Sequence, residues 1–285
     1  MFMGAGFSGI EGGGGGGRGL GELPESCVAC VLSRMEASEI CRVARVNTTF
    51  HRASLSDSVW ESKLPENHEI LLKKVFGSAA AAALTKKDIY KRFATPFLFA
   101  SHTKEVWLDK RRGGISVAIS WKAMKITGID DRRYWTHVST NESRFGCVAY
   151  LHQTWWLEIA GSLELEFPVG AYSLFFRLRI GRPSYGGRIA EKIHGWDVKP
   201  VTFQLESSNS GHAKSERFFN QQPRSEWVYH HVGDFVVQDS NTPTSLNFSM
   251  TQIDCTHTKG GLCVDSVFVF PTTGRPQPHH QKDFI

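Results

Sequence analysis

Apolar residues follow two different periods along this chain, and the switch between them near residue 100 is its main organising feature. From Leu23 to Leu64 the period is helical: Val28, Val31, Leu32 and Met35 stand at i, i+3, i+4 and i+7, one apolar stripe. Ser38 is placed to cap a second short helix carrying Ile40, Val43 and Ala44, and Asn47 a third carrying Phe50 and Ala53. Trp60 follows before the stop at Leu64-Pro65. Three short helices enclose too little apolar surface to stand alone, and domains this small lean on a metal, disulfides or a partner.

Residues 66–99 continue the helical period through Ile70, Leu71, Val75 and Phe76, then an alanine run, then Ile89, Tyr90 and Phe93. Thr85 with Asp88 forms a variant capping box, and Pro96 closes the segment. Past residue 100 the period becomes 2. Ile115, Val117, Ile119 and Trp121 alternate with small or polar residues, as do Tyr172 to Ile180, Val201 to Leu205 and Leu246 to Met250. Clusters such as Gly181-Arg-Pro-Ser and Asp239-Ser-Asn-Thr-Pro243 punctuate them. Many alternating strands without helical pattern between them predict an antiparallel sandwich or jelly roll.

The expected fold is therefore α+β and multidomain. A flexible Gly-rich tail covers 1–21, a three-helix unit 22–65, a helical linker 66–99, a β-sandwich 100–271 and a flexible tail 272–285.

Composition agrees with a packed soluble protein: of 285 residues, 41% are hydrophobic and 21% charged. No apolar run approaches the ~20 residues that span a bilayer. The opening MFMGAGFSGIEGGGGGGRG lacks the basic and apolar regions of a signal peptide, so the nucleus and/or cytoplasm is the expected location. Six cysteines spread over so long a chain read as free thiols rather than a disulfide framework.

Charge adds one idea. Residues 73–133 hold 14 Lys and Arg against 5 Asp and Glu, a local +9 that leaves −4 elsewhere. Such a block could face nucleic acid. Lysines scattered over a solvated face are the commoner cause, and nucleic acid is not the expected partner.

Signatures of catalysis are missing. No GxSxG, Walker loop or HExxH is present, and the glycine run satisfies GxGxxG without a preceding strand. Cys27 and Cys30 make a single CxxC where zinc needs about four ligands, and they read as small helix residues. Cys255, His257 and Cys263 are too distant in sequence to be tied to that pair by pattern. His194-Gly-Trp-Asp197 and His230-His231 are polar-aromatic knots better read as structural. Seven of eight tryptophans lie beyond residue 100, where some must fill a core and others could stack on a sugar ring. No metal and no cofactor is implied.

Two resemblances sharpen this. Leu23-Pro24, Val31-Leu32-Ser33-Arg34, Ile40 to Val46, Phe50 and Val59-Trp60-Glu61 closing at Leu64-Pro65 resemble an F-box over its full length. Lys104 to Asp109, Ile126 to Trp135, Val148 to Glu158, His194 to Asp197 and Lys259 to Leu262 resemble the plant phloem protein 2, or phloem lectin, family. Module order matches that family's F-box members. The resemblance implies a helical unit that docks a Skp-type adaptor and, through it, a cullin ligase core. Leu23, Pro24, Val31, Leu32, Ile40, Val43 and Trp60 would be shared between its own core and the adaptor. It implies a jelly-roll lectin fold for the rest, in a family with members that bind N-acetylglucosamine-type glycans.

In those lectins a tryptophan usually stands at the place of Gly128, and another aromatic at the place of His137. Asp130, Asp131, Trp135 and Trp156 are the recognition residues expected here. The reading is thus a non-catalytic substrate receptor of an SCF-type ubiquitin ligase, with a nucleocytoplasmic lectin as the alternative. Met3-Gly4-Ala-Gly-Phe-Ser8 also matches the N-myristoylation pattern if translation starts at Met3.

Overall fold

The computed structural model describes residues 23–77, 84–110, 114–182, 193–209 and 211–272. The Gly-rich tail, the Met3 to Ser8 motif, the alanine run, half of the Gly181-Arg-Pro-Ser cluster and nearly all of the C-terminal tail lie outside those residues. The chain forms two compact units, Met1–Ser62 and Lys63–Ile285.

The first unit is built from α1 (Glu25–Leu32), α2 (Ala37–Val43), α3 (Thr48–Ala53) and α4 (Asp57–Glu61). Pro24 stands at the start of α1, where its carbonyl accepts from Cys27 N and Val28 N at 2.9 and 3.1 Å. Glu25 in the first turn suits the helix dipole. α2 starts earlier than the Ser38 cap expected from sequence. Glu36 is its N-cap, and Glu39 reaches back to the Glu36 amide at 3.1 Å, so Ser38 falls inside the first turn. Asn47 does cap α3, its Oδ1 accepting from Phe50 N at 2.9 Å. Trp60 sits on a fourth, single-turn helix beyond the expected three. Its indole donates to Ser54 O at 2.7 Å, which pins α4 to the end of α3. Val28, Leu32, Ile40, Ala53, Val59 and Trp60 are this unit's buried core.

In the second unit, α5 (His68–Phe76) and α6 (Lys86–Ala94) are the helices described within the 66–99 segment. Thr85 Oγ1 accepts from Asp88 N at 3.2 Å and donates to the Asp88 carboxylate at 2.7 Å, the capping pair expected. The end of the expected linker is not helical: Phe97–Phe99 is an edge strand, β1, paired with β2 (Lys104–Leu108). Three residues are too few to show a period of 2. Asn67 Nδ2 donates to Glu166 O and Ser240 O, tying the start of α5 to the sheets.

The remaining strands are β3 (Ile115–Ser120), β4 (Lys125–Ile126), β5 (Trp135–Ser139), β6 (Cys147–Leu151), β7 (Leu157–Leu165), β8 (Gly170–Ile180) and β9 (Val201–Ser207). β10 (Gly211–Arg217), β11 (Trp227–Val237), β12 (Thr244–Gln252) and β13 (Leu262–Pro271) complete them. All pairings between these strands are antiparallel, apart from which Ile180 makes an isolated parallel bridge with Arg224. The eight-stranded sheet runs β1-β2-β3-β13-β6-β5, with β8 joined to β13 and β11 to β8; the five-stranded sheet runs β10-β9-β12-β7-β4.

Phe176 of β8 lies 5.6 Å from Phe203 of β9 and 5.9 Å from Phe248 of β12, so the two sheets face each other across an aromatic core. A second cluster of Ala118, Phe175, Phe268 and Phe270, with Trp107 and Tyr229 against it, covers the other face of the large sheet. β13 is consequently buried at every position and shows no alternation. Between Val264 and Ser266 its register slips. There Asp265 is buried, and it accepts from Arg177 at 2.6 Å.

Candidate functional site

Two regions carry the residues singled out from sequence. In the helical unit the spacing of α1 produces two faces. Val28, Ala29 and Leu32 turn inward, whereas Val31 is 53% exposed and therefore leaves the stripe in which its spacing placed it. Leu23 is 40% exposed and Pro24 is exposed beside it, just ahead of the helix. Of the residues expected to serve the adaptor, Leu32, Ile40 and Trp60 are core, Val43 is half-buried, and Leu23, Pro24 and Val31 face outward. Val46 and Leu55, not foreseen, are also exposed apolar side chains of this unit. Their exposure is visible only in the tertiary arrangement.

In the sandwich, strand pairing brings the second set to one end. Trp135 opposes Leu151, Leu262 opposes both Leu151 and Ile180, and Gln252 opposes Leu157. The 127–134 turn, the 152–156 loop, the His194 segment and the 253–261 loop therefore cluster there. Of the stretches that carry the phloem protein 2 resemblance, those at 126–135, 148–158, 194–197 and 259–262 meet at this end, whereas Lys104 to Asp109 lies along β2.

What holds them together is Lys259. Its side chain is fully buried, and its ammonium donates to the carbonyls of Trp155 at 2.9 Å, Gln252 at 2.9 Å and Asp254 at 3.0 Å. Three acceptors match the three donors of an ammonium. Burial lowers the Lys259 pKa from the ordinary lysine value. The next two residues thread between neighbouring loops. Thr154 bridges to Lys259 and His194 to Gly260. A Cβ on Gly260 would come within 2.1 Å of the His152 carbonyl, and one on Gly195 within 2.1 Å of the Thr258 carbonyl. Trp196 is buried and donates to Gly260 O at 2.7 Å. The His194-Gly-Trp-Asp197 knot is thus an anchor for the 259–261 crossing.

This anchoring presents Trp155 and Trp156 outward, 53% and 43% exposed. The Trp156 indole donates to Glu158 at 3.0 Å, and Thr127 N donates to Glu158 O at 3.0 Å, which places the 127–134 turn beside it. Trp135, expected as a stacking face, is only 2% exposed, with its indole donating to Thr127 O at 3.1 Å. It supports the turn from below and offers a ligand no face, because pairing with β6 turns the ring into the core. Asp131 is bound bidentately by the Arg133 guanidinium beside it, which holds its carboxyl below the usual range. Asp130 is exposed. Gly128 has φ +73°, and a Cβ there would rest 3.3 Å from the Tyr134 ring, over which Arg133 already lies at 5.5 Å. His137 packs on Trp121 at 4.5 Å. Trp155, which only its exposure distinguishes, is the residue that sequence reasoning did not select.

The other sequence ideas find structural employment. Lys74, Lys86, Lys91 and Arg133 of the basic block pair with carboxylates, so its field is partly cancelled. His230 is buried, stacks on Phe203 at 5.7 Å and has its pKa pushed down by burial to about 3. His231 and Ser173 both bond to Asp234 Oδ1, at 2.8 and 2.6 Å. With the carboxylate in the middle, the imidazole is not placed to take the hydroxyl proton. Among the described residues no three His, Cys, Asp or Glu side chains gather as a metal site would require, and no helix is long and apolar enough to cross a membrane.

A small helical unit with an outward apolar face is joined in sequence to an antiparallel sandwich with tryptophans at one end. Residues 20–64 match the F-box-like family model and residues 114–271 the Phloem protein 2 model. F-box protein PP2-A13 of Arabidopsis thaliana is 52% identical over 244 residues, 84% of each chain. F-box protein PP2-A12 of the same plant is 48% identical over 251 residues, 86% of this chain and 85% of its own. The chain belongs to the F-box branch of the phloem protein 2 family. Among solved structures, a family 35 carbohydrate binding module from Clostridium thermocellum aligns with TM-score 0.31 and 14% identity over 55% of this chain and 98% of that one.

Proposed function

We propose that this chain is the substrate-recognition subunit of an SCF-type E3 ubiquitin ligase. Its F-box unit docks a Skp-type adaptor and hence the cullin core, and its sandwich selects targets for ubiquitination and proteasomal degradation. The supporting observation is the division within the helical unit: Leu32, Ile40 and Trp60 satisfy the core, while Leu23, Pro24 and Val31 stay in water. Grouped apolar side chains left exposed mark an interaction surface. The mechanism is proximity, since holding target and ubiquitin-charged machinery on one scaffold raises their effective concentration. The chain itself is non-catalytic and acts in the nucleus and/or cytoplasm. A pull-down of purified Skp-type adaptor by wild type and by the Leu23→Ala, Pro24→Ala double variant tests this. Binding lost in the variant supports the reading; no binding by folded wild type sinks it.

Exposure of Trp155 and Trp156 favours a second reading, a lectin for N-acetylglucosamine-type glycans, since an open indole stacks on the apolar face of a sugar. A glycan array probed with wild type and with Trp155→Ala, Trp156→Ala discriminates: signal lost in the variant supports it, and a blank array for wild type removes it.

A further inference from the structure

The outward face of α1 contains more than Val31. Cys27 and Val31 stand at i and i+4 with Cys30 between them, Arg34 follows just past the helix end, and all four are exposed. Neither thiol packs in the core, which uses Val28, Ala29 and Leu32 on the opposite side. Cys30 also forms part of the wall of a cleft of about 510 Å³, lined by Ser26, Ala29 and Ser33 of α1 and its flank and by Ser56 and Ser58. That volume admits a molecule the size of a tripeptide thiol.

The other four cysteines differ. Cys263 is buried and donates to Gly181 O, and Cys147 is partly buried, with burial raising its pKa. Cys41 and Cys255 are exposed, yet each stands without a second cysteine one helical turn away.

We infer that the Cys27–Cys30 pair is a thiol–disulfide modification site on the docking face, that its co-substrate is a small disulfide of the glutathione type, and that only the dithiol form docks. The inference rests on the adaptor reading above. In the first step one cysteine, its proton released to water, attacks a sulfur of the external disulfide; an S–S bond forms to the protein as the external S–S bond breaks, and the other half leaves as a thiolate that takes up a proton from water. The neighbouring cysteine then attacks the protein-side sulfur and expels the second thiol. In total the dithiol is oxidised by two electrons and the external disulfide is reduced to two thiols.

Either product disables the face. The mixed disulfide covers Val31 and adds charge. Closing the ring needs Cβ atoms about 3.5–4.5 Å apart, whereas a helix holds i, i+3 partners at about 5–6 Å. The first turn must therefore tighten, and that turn is held to Pro24 O by Cys27 N and Val28 N. Leu23 and Pro24 move with it.

The test uses the full chain, purified Skp-type adaptor and glutathione disulfide as probe. Wild type and the Cys27→Ser, Cys30→Ser variant are treated, mapped by peptide mass spectrometry and measured for adaptor affinity before and after dithiothreitol. The inference expects modification at Cys27 or Cys30, at least tenfold weaker binding by treated wild type and recovery on reduction, and, for the variant, the same adaptor affinity before and after treatment whatever its starting value. Absence of modification at these positions overturns it, as does modified wild type that binds undiminished. Failure of untreated wild type to bind adaptor is a different result: it removes the docking reading, and with it the claim that only the dithiol docks.

Discussion

Lys259 Nζ donates to the main-chain carbonyl of Trp155 at 2.9 Å, joining residues 104 positions apart. That bond and its two companions fix the loop that displays both exposed tryptophans. Lys259→Met should leave three carbonyls without their donor in a buried place. Relief of the ammonium's desolvation offsets part of the loss, and a net destabilisation of about 2–3 kcal/mol is expected. Urea denaturation should show a lower midpoint, with Trp155 and Trp156 becoming more accessible to acrylamide quenching.

Gly260→Ala should be worse tolerated than any exposed substitution in the sandwich. Its Cβ would meet the His152 carbonyl at 2.1 Å and the His194 ring at 2.9 Å, and backbone on one side cannot swing away. About 3 kcal/mol or more is expected, beyond the common range for overpacking. Gly146→Ala provides the control: nothing stands near its Cβ, so only the cost of φ +69° applies, about 1 kcal/mol. Comparing the two midpoints by thermal melt separates collision from backbone strain.

Within the F-box unit, stability and docking should separate. Trp60→Ala removes a buried indole and its bond to Ser54 O, at about 3–5 kcal/mol. That exceeds what so small a core holds, and the unit should lose its helical circular dichroism. Val31→Ala should change stability by no more than about 0.5 kcal/mol. Its adaptor affinity should nevertheless fall, and a variant that binds like wild type would place Val31 outside the interface.

His230 makes the sandwich sensitive to acid. Burial depresses its pKa from 6.5 to about 3, so the folded state keeps it neutral where the unfolded chain protonates it. The stability it contributes is present above pH 6.5 and is lost as pH falls toward 3. The expected slope is about 1.4 kcal/mol per pH unit. His230→Phe should flatten the stability profile by that amount over the same window, measured as the wild-type minus variant difference so that carboxylate titrations cancel.

Arg177 and Asp265 are both buried and paired at 2.6 Å, with the Trp227 ring 4.5 Å from the guanidinium. Arg177→Met would strand the Asp265 carboxylate, at about 3–5 kcal/mol. If the paired change Arg177→Met, Asp265→Asn costs no less than the single one, the stranded charge is not the reason.

Local pattern determined a good part of this protein. Capping at Asn47 and Thr85, the inward placing of Val28 and Leu32, and the alternation of Val201 to Leu205 and Leu246 to Met250 are written in spacing, because a partly buried element must repeat its apolar residues with its own period. Separated motifs in a fixed order were enough to indicate the family. Tertiary structure decided the rest. β13 lies between two apolar clusters and has no alternation to read. Val31 and Leu32 are neighbours with the same chemistry, yet one is the core and the other the surface, since a rotation of about 100° per residue sends them to different sides. Trp135 and Trp156 likewise look equivalent as letters; strand pairing buries the first, and a loop tied down by Lys259 exposes the second. Which side of an element meets the core depends on residues far away in the chain, and no local pattern contains them.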